Sequence, residues 1–194
     1  PGVEFFFGGL ESLSETDLSQ IEAVLGNPPA EILAKLTGLK LLQLCSAGVN
    51  GCYLKPGALP EGAALCNAAG AYGPAIAEHM LGMLLSLIKR LHQYRDSQRI
   101  GKWEDHGPVT AISGSRTLVV GMGNIGSEFG KRMAALGSAV CGVKRTPGVR
   151  PDWLSRLETM EKLDEMLPEA DFVFLSLPET PATRGLLTRK GLTG

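Results

Sequence analysis

The residues of this chain best suited to chemistry are glycines. Thr117-Leu118-Val119-Val120, a run of β-branched and apolar residues that reads as a buried strand, leads straight into Gly121-Met122-Gly123-Asn124-Ile125-Gly126. A predicted helix over 127–136 and a second predicted strand, Ala139-Val140-Cys141-Gly142-Val143, follow. A lone G-x-G-x-x-G says little. Strand, glycines, helix and strand in that order point to one chemistry, the binding of a dinucleotide pyrophosphate. Gly121 would permit the tight turn, Gly123 would let phosphates reach the backbone, and Gly126 would let helix and strand pack closely. The helix N-terminus would add free N–H groups and partial positive charge. The competing reading is a glycine-rich turn that holds no ligand.

About 20 residues beyond such glycines, at the end of the second strand, an Asp or Glu holds the ribose 2′-hydroxyl of NAD(H). Lys144-Arg145-Thr146 stand there instead. Two cations and a hydroxyl suit a 2′-phosphate, because Arg offers a bidentate, charge-assisted fork. NADP(H) is therefore expected in preference to NAD(H), against the alternative that Lys144 and Arg145 are solvated surface charges. The other chemically capable side chains form no pattern. Cys45, Cys52, Cys66 and Cys141 make no C-x-x-C pair and have no His at metal-ligand spacing, so neither a metal site nor a disulfide framework is expected, and a reducing, cytoplasmic setting fits them. His79, His92 and His106 read as helix-face or loop residues.

The elements that position the glycines follow from composition and periodicity. The 194 residues are 44% apolar and 20% charged, with a net charge of -1, which describes one or two globular domains and excludes a disordered chain. Without a single-sign field, neither nucleic acid nor an anionic membrane is an expected partner. Up to Asp105 there are eight basic against eleven acidic residues, and beyond it eleven against nine, so the second part is the better host for an anion. The N-terminus shows no signal-peptide pattern, and its lack of an initiator Met suggests a trimmed start. The apolar stretch 80–88 is too short to span a bilayer.

Strands are predicted at 3–7, 21–25 and 41–45, with helices starting at Ser14 and covering 30–36. That β-α-β-α-β order implies a parallel sheet, whose ligand-binding loop at a strand's carboxyl end would be Ser46-Ala47-Gly48-Val49-Asn50. Pro74 opens a long predicted helix over 74–99, with Ile76, Met80, Leu84, Leu87 and Leu91 at helical spacing, and a loop over 101–114 follows. Downstream come a short strand within 153–159, a helix over 161–167, and a fourth strand, Asp171-Phe172-Val173-Phe174-Leu175-Ser176. The loop after it, Leu177-Pro178-Glu179-Thr180-Pro181-Ala182-Thr183, is expected to face the same crevice as the glycines.

From Ile21 to Thr188 these segments together resemble the D-isomer-specific 2-hydroxyacid dehydrogenase family, particularly its glyoxylate/hydroxypyruvate reductase-like members. The resemblance rests on Leu44-Cys45-Ser46-Ala47-Gly48-Val49-Asn50, on Asn67-Ala68-Ala69-Gly70 followed by Ile76-Ala77-Glu78-His79, on the glycine motif, and on residues 171–183. It implies an α/β fold of two doubly wound parallel-sheet domains. A flavodoxin-like substrate domain would occupy residues 1–72, and a Rossmann NAD(P)-binding domain, opened by the helix 74–99 and incomplete, residues 73–194. It implies hydride transfer between a nicotinamide and C2 of a small 2-hydroxy or 2-keto acid. The N–H groups of Ala47 and Gly48 would bind the substrate carboxylate. Gly121, Gly123, Asn124, Ile125 and Gly126 would hold the pyrophosphate, with Lys144, Arg145 and Thr146 at the adenosine ribose and Leu177, Pro178 and Thr183 near the rest of the dinucleotide. The helix 74–99 resembles the one that forms the family's homodimer.

The family's catalytic Arg, Glu and His fall beyond the position matching Gly194, so no residue of this chain is expected to be catalytic. Only the first half of a dinucleotide-binding sheet is expected, with the fourth strand as an exposed edge, which suggests that the chain is incomplete. A non-catalytic dinucleotide-binding module or redox sensor of the same fold is the second reading. A hydrolase similar to the adenosylhomocysteinases is a third, which residues 46–50 and 171–183 fit less well.

Overall fold

The computed structural model describes residues 2–49 and 51–186. The chain divides into two compact units, Pro1–Ala71 and Tyr72–Gly194.

In the first unit, helix α1 (Glu15–Gln20) starts where its sequence asks it to. Ser14 is the N-cap, and its hydroxyl oxygen accepts the Asp17 N–H at 3.2 Å. Strands β1 (Ala23–Leu25), β2 (Leu41–Gln43) and β3 (Ala64–Cys66) form a parallel sheet in that order, with α2 (Ala30–Leu33) between the first two strands in sequence. Val24 and Leu42 lie side by side in the register and are buried with Leu18, Leu33, Leu36, Leu39 and Leu44. The Tyr53 ring closes this core and donates its hydroxyl proton to the Pro28 carbonyl at 2.9 Å. The strand expected at 3–7 does not form. Its phenylalanines are exposed, and Phe5 stacks on Phe7 instead of pairing with a neighbouring strand. Strand β3, over 64–66, is not among the strands the sequence predicts.

The second unit opens with α3 (Gly73–Ile88) and α4 (Leu91–Arg99). The single helix expected over 74–99 is thus broken, and the break has a tertiary cause. Arg90 adopts left-handed backbone angles (φ 56°), the Ile88 carbonyl accepts the N–H of Thr110, Lys89 Nζ donates to the Thr110 carbonyl, and Arg90 Nε donates to the Pro108 carbonyl. A continuous helix would give the Ile88 carbonyl to His92 N–H, four residues on. The returning loop takes that acceptor.

Beyond the loop, β4 (Arg116–Val120), β5 (Ala139–Lys144), β6 (Arg156–Thr159) and β7 (Phe172–Leu175) form an all-parallel sheet in the order β6-β5-β4-β7 among the described residues. From Thr117 to Val120 every residue of β4 is buried, as a central parallel strand covered on both faces requires. Helix α5 (Asn124–Ala135) links β4 to β5, and α6 (Leu163–Met166), flanked by single 3₁₀ turns, precedes β7. Phe129 and Met133 of α5, Ala77 and Leu84 of α3, and Val119 and Val140 of the sheet share one core. The Asp171 carboxylate accepts the Arg116 N–H at 2.7 Å and ties the start of β7 to the start of β4.

Candidate functional site

The order β6-β5-β4-β7 contains a switch point. The chain moves from β4 through β5 to β6 on one side, then crosses back to place β7 on the other side of β4. Ligands of open α/β sheets bind outside the carboxyl ends of strands at such a point. Gly121, Met122 and Gly123 connect β4 to α5 at that place.

Each glycine of the turn does something different. Gly121 has φ 105°, and its N–H donates to the Val143 carbonyl at 2.8 Å. A side chain there would collide with the Ser176 carbonyl oxygen, with its carbon 2.7 Å away, and with Leu177 Cδ2 at 3.0 Å. The loop after β7 therefore packs on the glycine turn, as its place in the sheet required. Gly126 is buried, and a Cβ on it would overlap the Gly121 carbonyl oxygen and come within 3.0 Å of Val119 Cγ1. This is the close helix–strand approach that the spacing predicted. Gly123 is the opposite case: it is exposed, and a Cβ built on it meets nothing within 4 Å. The open position of this turn is thus the residue that caps the helix.

Helix α5 begins at Asn124, three residues earlier than predicted, so Asn124, Ile125 and Gly126 form its first turn. Gly123 is the N-cap and offers no side chain to the first-turn N–H groups, which have no intrahelical partner. Helix α3 begins beside it, because the Asn124 carboxamide occupies the place where a Gly73 side chain would be. Farther along, Glu78 of α3 meets Arg132 of α5 at 3.4 Å, so the two helices run parallel with their positive ends together. The Arg132 guanidinium and, next, the Lys131 ammonium hydrogen-bond to Glu128 and hold its carboxyl below the ordinary range. That acid stays ionised and paired, away from the turn.

At the far end of β5, Lys144 is half-buried while Arg145 and Thr146 are exposed. The Lys144 ammonium lies over Gly148, 2.7 Å from where its Cβ would be. Arg150 is not available beside them, since its guanidinium donates to the Leu154 carbonyl. Cys141, in the same strand, has its thiol pushed up by burial, which disfavours the thiolate.

After β7 the chain folds on itself. The Thr183 hydroxyl donates to the Pro178 carbonyl at 2.6 Å and accepts the Thr180 N–H at 2.9 Å. Thr183 is thereby committed to the shape of its own loop, and Leu177 is the member of the trio that reaches the glycine turn.

In the first unit, Ala47 and Gly48 follow β2 on a loop held by two asparagines that sequence reading assigned no role. Asn27 accepts the Cys45 N–H at 3.0 Å and donates to the Ser46 hydroxyl at 2.8 Å, while Asn67 donates to the Ala47 carbonyl at 2.9 Å. The Ser46 carbonyl accepts from Ala68 N–H, and the Gly48 carbonyl from the Ser46 hydroxyl. With the acceptors engaged, no hydrogen bond among the described residues uses the Ala47 or Gly48 N–H. Asn50, the last residue of the expected loop, lies outside the described residues, as does Thr188. A cavity of about 510 Å³ beside this loop is lined by Val49, Leu54, Leu65, Cys66 and Asn67. Among the described residues no group of His, Cys, Asp and Glu could hold a metal ion, and no helix is long and apolar enough to cross a membrane.

Residues 81–193 match the family model of the D-isomer specific 2-hydroxyacid dehydrogenase, NAD binding domain. D-3-phosphoglycerate dehydrogenase of Mycobacterium bovis is 32% identical over 165 residues, covering 84% of this chain and 31% of that protein. Hydroxypyruvate reductase of Thermotoga maritima is 28% identical over 168 residues, covering 84% and 52%. The crystal structure of a D-isomer specific 2-hydroxyacid dehydrogenase from Xanthobacter autotrophicus, in complex with NADPH and MES, superposes with a TM-score of 0.73 at 28% identity, covering 91% of this chain and 55% of that one. The chain thus spans between about a third and about a half of the length of these relatives.

Proposed function

Because the chain belongs to the D-isomer specific 2-hydroxyacid dehydrogenase family, we propose that it serves hydride transfer between a nicotinamide dinucleotide and C2 of a small 2-hydroxy or 2-keto acid such as glyoxylate or hydroxypyruvate. The observation that carries this is the glycine turn. Gly121 and Gly126 are closed to any side chain by neighbouring backbone, while Gly123, between them, opens on unfilled space before an uncapped helix. Packing accounts for the first two, and the third supports the reading by leaving room for a ligand.

In this reading the first-turn N–H groups of α5, at Asn124, Ile125 and Gly126, hold the pyrophosphate. Lys144, Arg145 and Thr146 receive the 2′-phosphate of NADP(H), favoured over NAD(H) because no carboxylate stands at the end of β5 to accept a ribose 2′-hydroxyl. Leu177, Pro178 and Thr183 form the loop along the rest of the dinucleotide, with Thr183 fixing its turn. The bound nicotinamide supplies or accepts the hydride. The chain's own residues bind and orient: residues 1–72 act as the substrate-binding domain, where the Ala47 and Gly48 N–H groups hold the carboxylate, and residues 73–194 as the dinucleotide-binding domain.

The helical segment α3–α4 serves as the surface of a homodimer, supported by exposed Met83, Leu87 and Leu91. A reducing, cytoplasmic setting suits thiols such as Cys66, which is exposed and unpaired. Fluorescence titration of the 194-residue chain with NADPH and NADH tests the cofactor reading. NADPH binding tighter than NADH supports it, and equal or NADH-favoured binding refutes the preference. Oxidation of NADPH by glyoxylate or hydroxypyruvate, assayed with the complete polypeptide, tests the reaction.

A further inference from the structure

Gly73 is buried at the first position of α3, and its backbone does not require glycine, since its φ lies outside the left-handed region. What excludes a side chain is Asn124. A Cβ on Gly73 would overlap the Asn124 carboxamide oxygen and lie 2.9 Å from its Cγ and 3.2 Å from its Nδ2. All three terminal atoms of that side chain thus rest in the volume Gly73 leaves empty. Asn124 is exposed and opens α5 directly after Gly123, whose missing side chain faces open space. A carboxamide at that position has two kinds of place to go: back against α3, or forward over the N–H groups of the first turn of α5.

We propose that Gly73 is a positioning residue for the dinucleotide: by having no side chain it seats the Asn124 carboxamide against the first turn of α3 and keeps the approach to the α5 N-terminus clear. The inference rests on the dinucleotide reading above and adds to it a residue outside the glycine motif. It explains why a glycine occupies a helix position where alanine would be the better helix former. The obstacle to a side chain at Gly73 is a rotatable one, so the fold tolerates Gly73→Ala. Its cost falls on the place into which Asn124 is displaced.

The experiment is a double-variant cycle on the 194-residue chain with Gly73→Ala, Asn124→Ala and the two combined, reading NADPH affinity by fluorescence and the melting temperature of each protein. Gly73→Ala is expected to bind NADPH about tenfold more weakly, the weight of one hydrogen bond to a charged group, with a melting temperature equal to or above the parent's. In the Asn124→Ala background the same change is expected to have no effect on affinity, because there is no carboxamide left to displace. Parent-like binding by Gly73→Ala overturns the proposal, and so does a loss that persists in the combined variant. A melting temperature lowered in Gly73→Ala and not restored in the combined variant overturns it too, by making the role of Gly73 purely structural. If the parent chain binds neither NADPH nor NADH, the dinucleotide reading itself fails and this inference with it. That result is distinct from parent-level binding retained by Gly73→Ala.

Discussion

Gly123→Ala separates ligand binding from folding more cleanly than any other single change. The added Cβ meets no protein atom within 4 Å, and Gly123 is exposed at φ -80°, where alanine is at ease. The folded state therefore loses only the difference between glycine and alanine at an N-cap, about 1 kcal/mol or less, worth a few degrees of melting temperature. Binding has more to lose. The methyl group stands in the space through which a pyrophosphate reaches the N–H groups of Asn124, Ile125 and Gly126, and it holds the anion off. Losing two hydrogen bonds to a charged group, at about 1.5 kcal/mol each, weakens NADPH roughly 100-fold. The assay is fluorescence titration of parent and variant at one salt concentration, beside thermal melts of both. A variant that binds NADPH within about twofold of the parent would refute the idea that the ligand enters over Gly123, and would return the turn to packing alone.

The neighbouring Gly126→Ala should behave in the opposite way. Its Cβ runs into backbone at Gly121 that cannot rotate aside, so about 2 kcal/mol of stability and roughly 8 °C of melting temperature are expected to go, and a variant melting with the parent would contradict the close-packing role. Arg145→Ala is expected to weaken NADPH about tenfold and leave NADH unchanged, through loss of one charged contact to the 2′-phosphate; equal losses for both nucleotides would count against that contact. Glu128 gives a pH prediction. Its carboxyl is lowered from 4.5, chiefly by Arg132 and then Lys131, so its stabilising contribution is present above the ordinary value and is lost as the pH falls from there through the lowered one. Melts across pH should show Glu128→Gln below the parent at neutral pH and level with it in acid, whereas a constant gap would deny the ion pair its role.

What was legible in the sequence was local. The β4 run of Thr117-Leu118-Val119-Val120, the glycines behind it and the Ser14 cap each announce themselves within a few residues, and the structure has all three. What misled was anything decided by a partner far along the chain. The aromatic run over 3–7 has strand-forming residues but no strand beside it among the described residues, and β propensity without a pairing partner is no strand. The break between α3 and α4 carries neither Gly nor Pro. It exists because Lys89, Arg90 and the Ile88 carbonyl find partners in Pro108 and Thr110. Asn27 and Asn67 look like ordinary loop residues until the loop at Ala47 is seen hanging between them. The sequence predicts a late start for α5 because Asn124 and Gly126 are poor helix formers, although the first turn, where side chains and ligands meet N–H groups, is where poor formers are tolerated.

The same distinction separates the glycines. A fingerprint of three glycines treats them as equivalent marks, but their surroundings assign them unequal dependence on the rest of the fold. Gly121 is held by the loop after β7 and Gly126 by the strand before it, so both are needed whether or not a nucleotide ever binds. Among the described residues nothing stands in the way of a Cβ at Gly123, and only the Asn124 side chain stands in the way of one at Gly73. Function should therefore be sought where the fold gives no reason for a residue. Two helices laid parallel with their positive ends together repel one another there, and an anion placed before both offsets that repulsion. Gly73, required only by the Asn124 side chain, and Gly123, whose Cβ would meet nothing, stand at the start of those two helices, one bearing on Asn124 and the other on the open space where such an anion would lie.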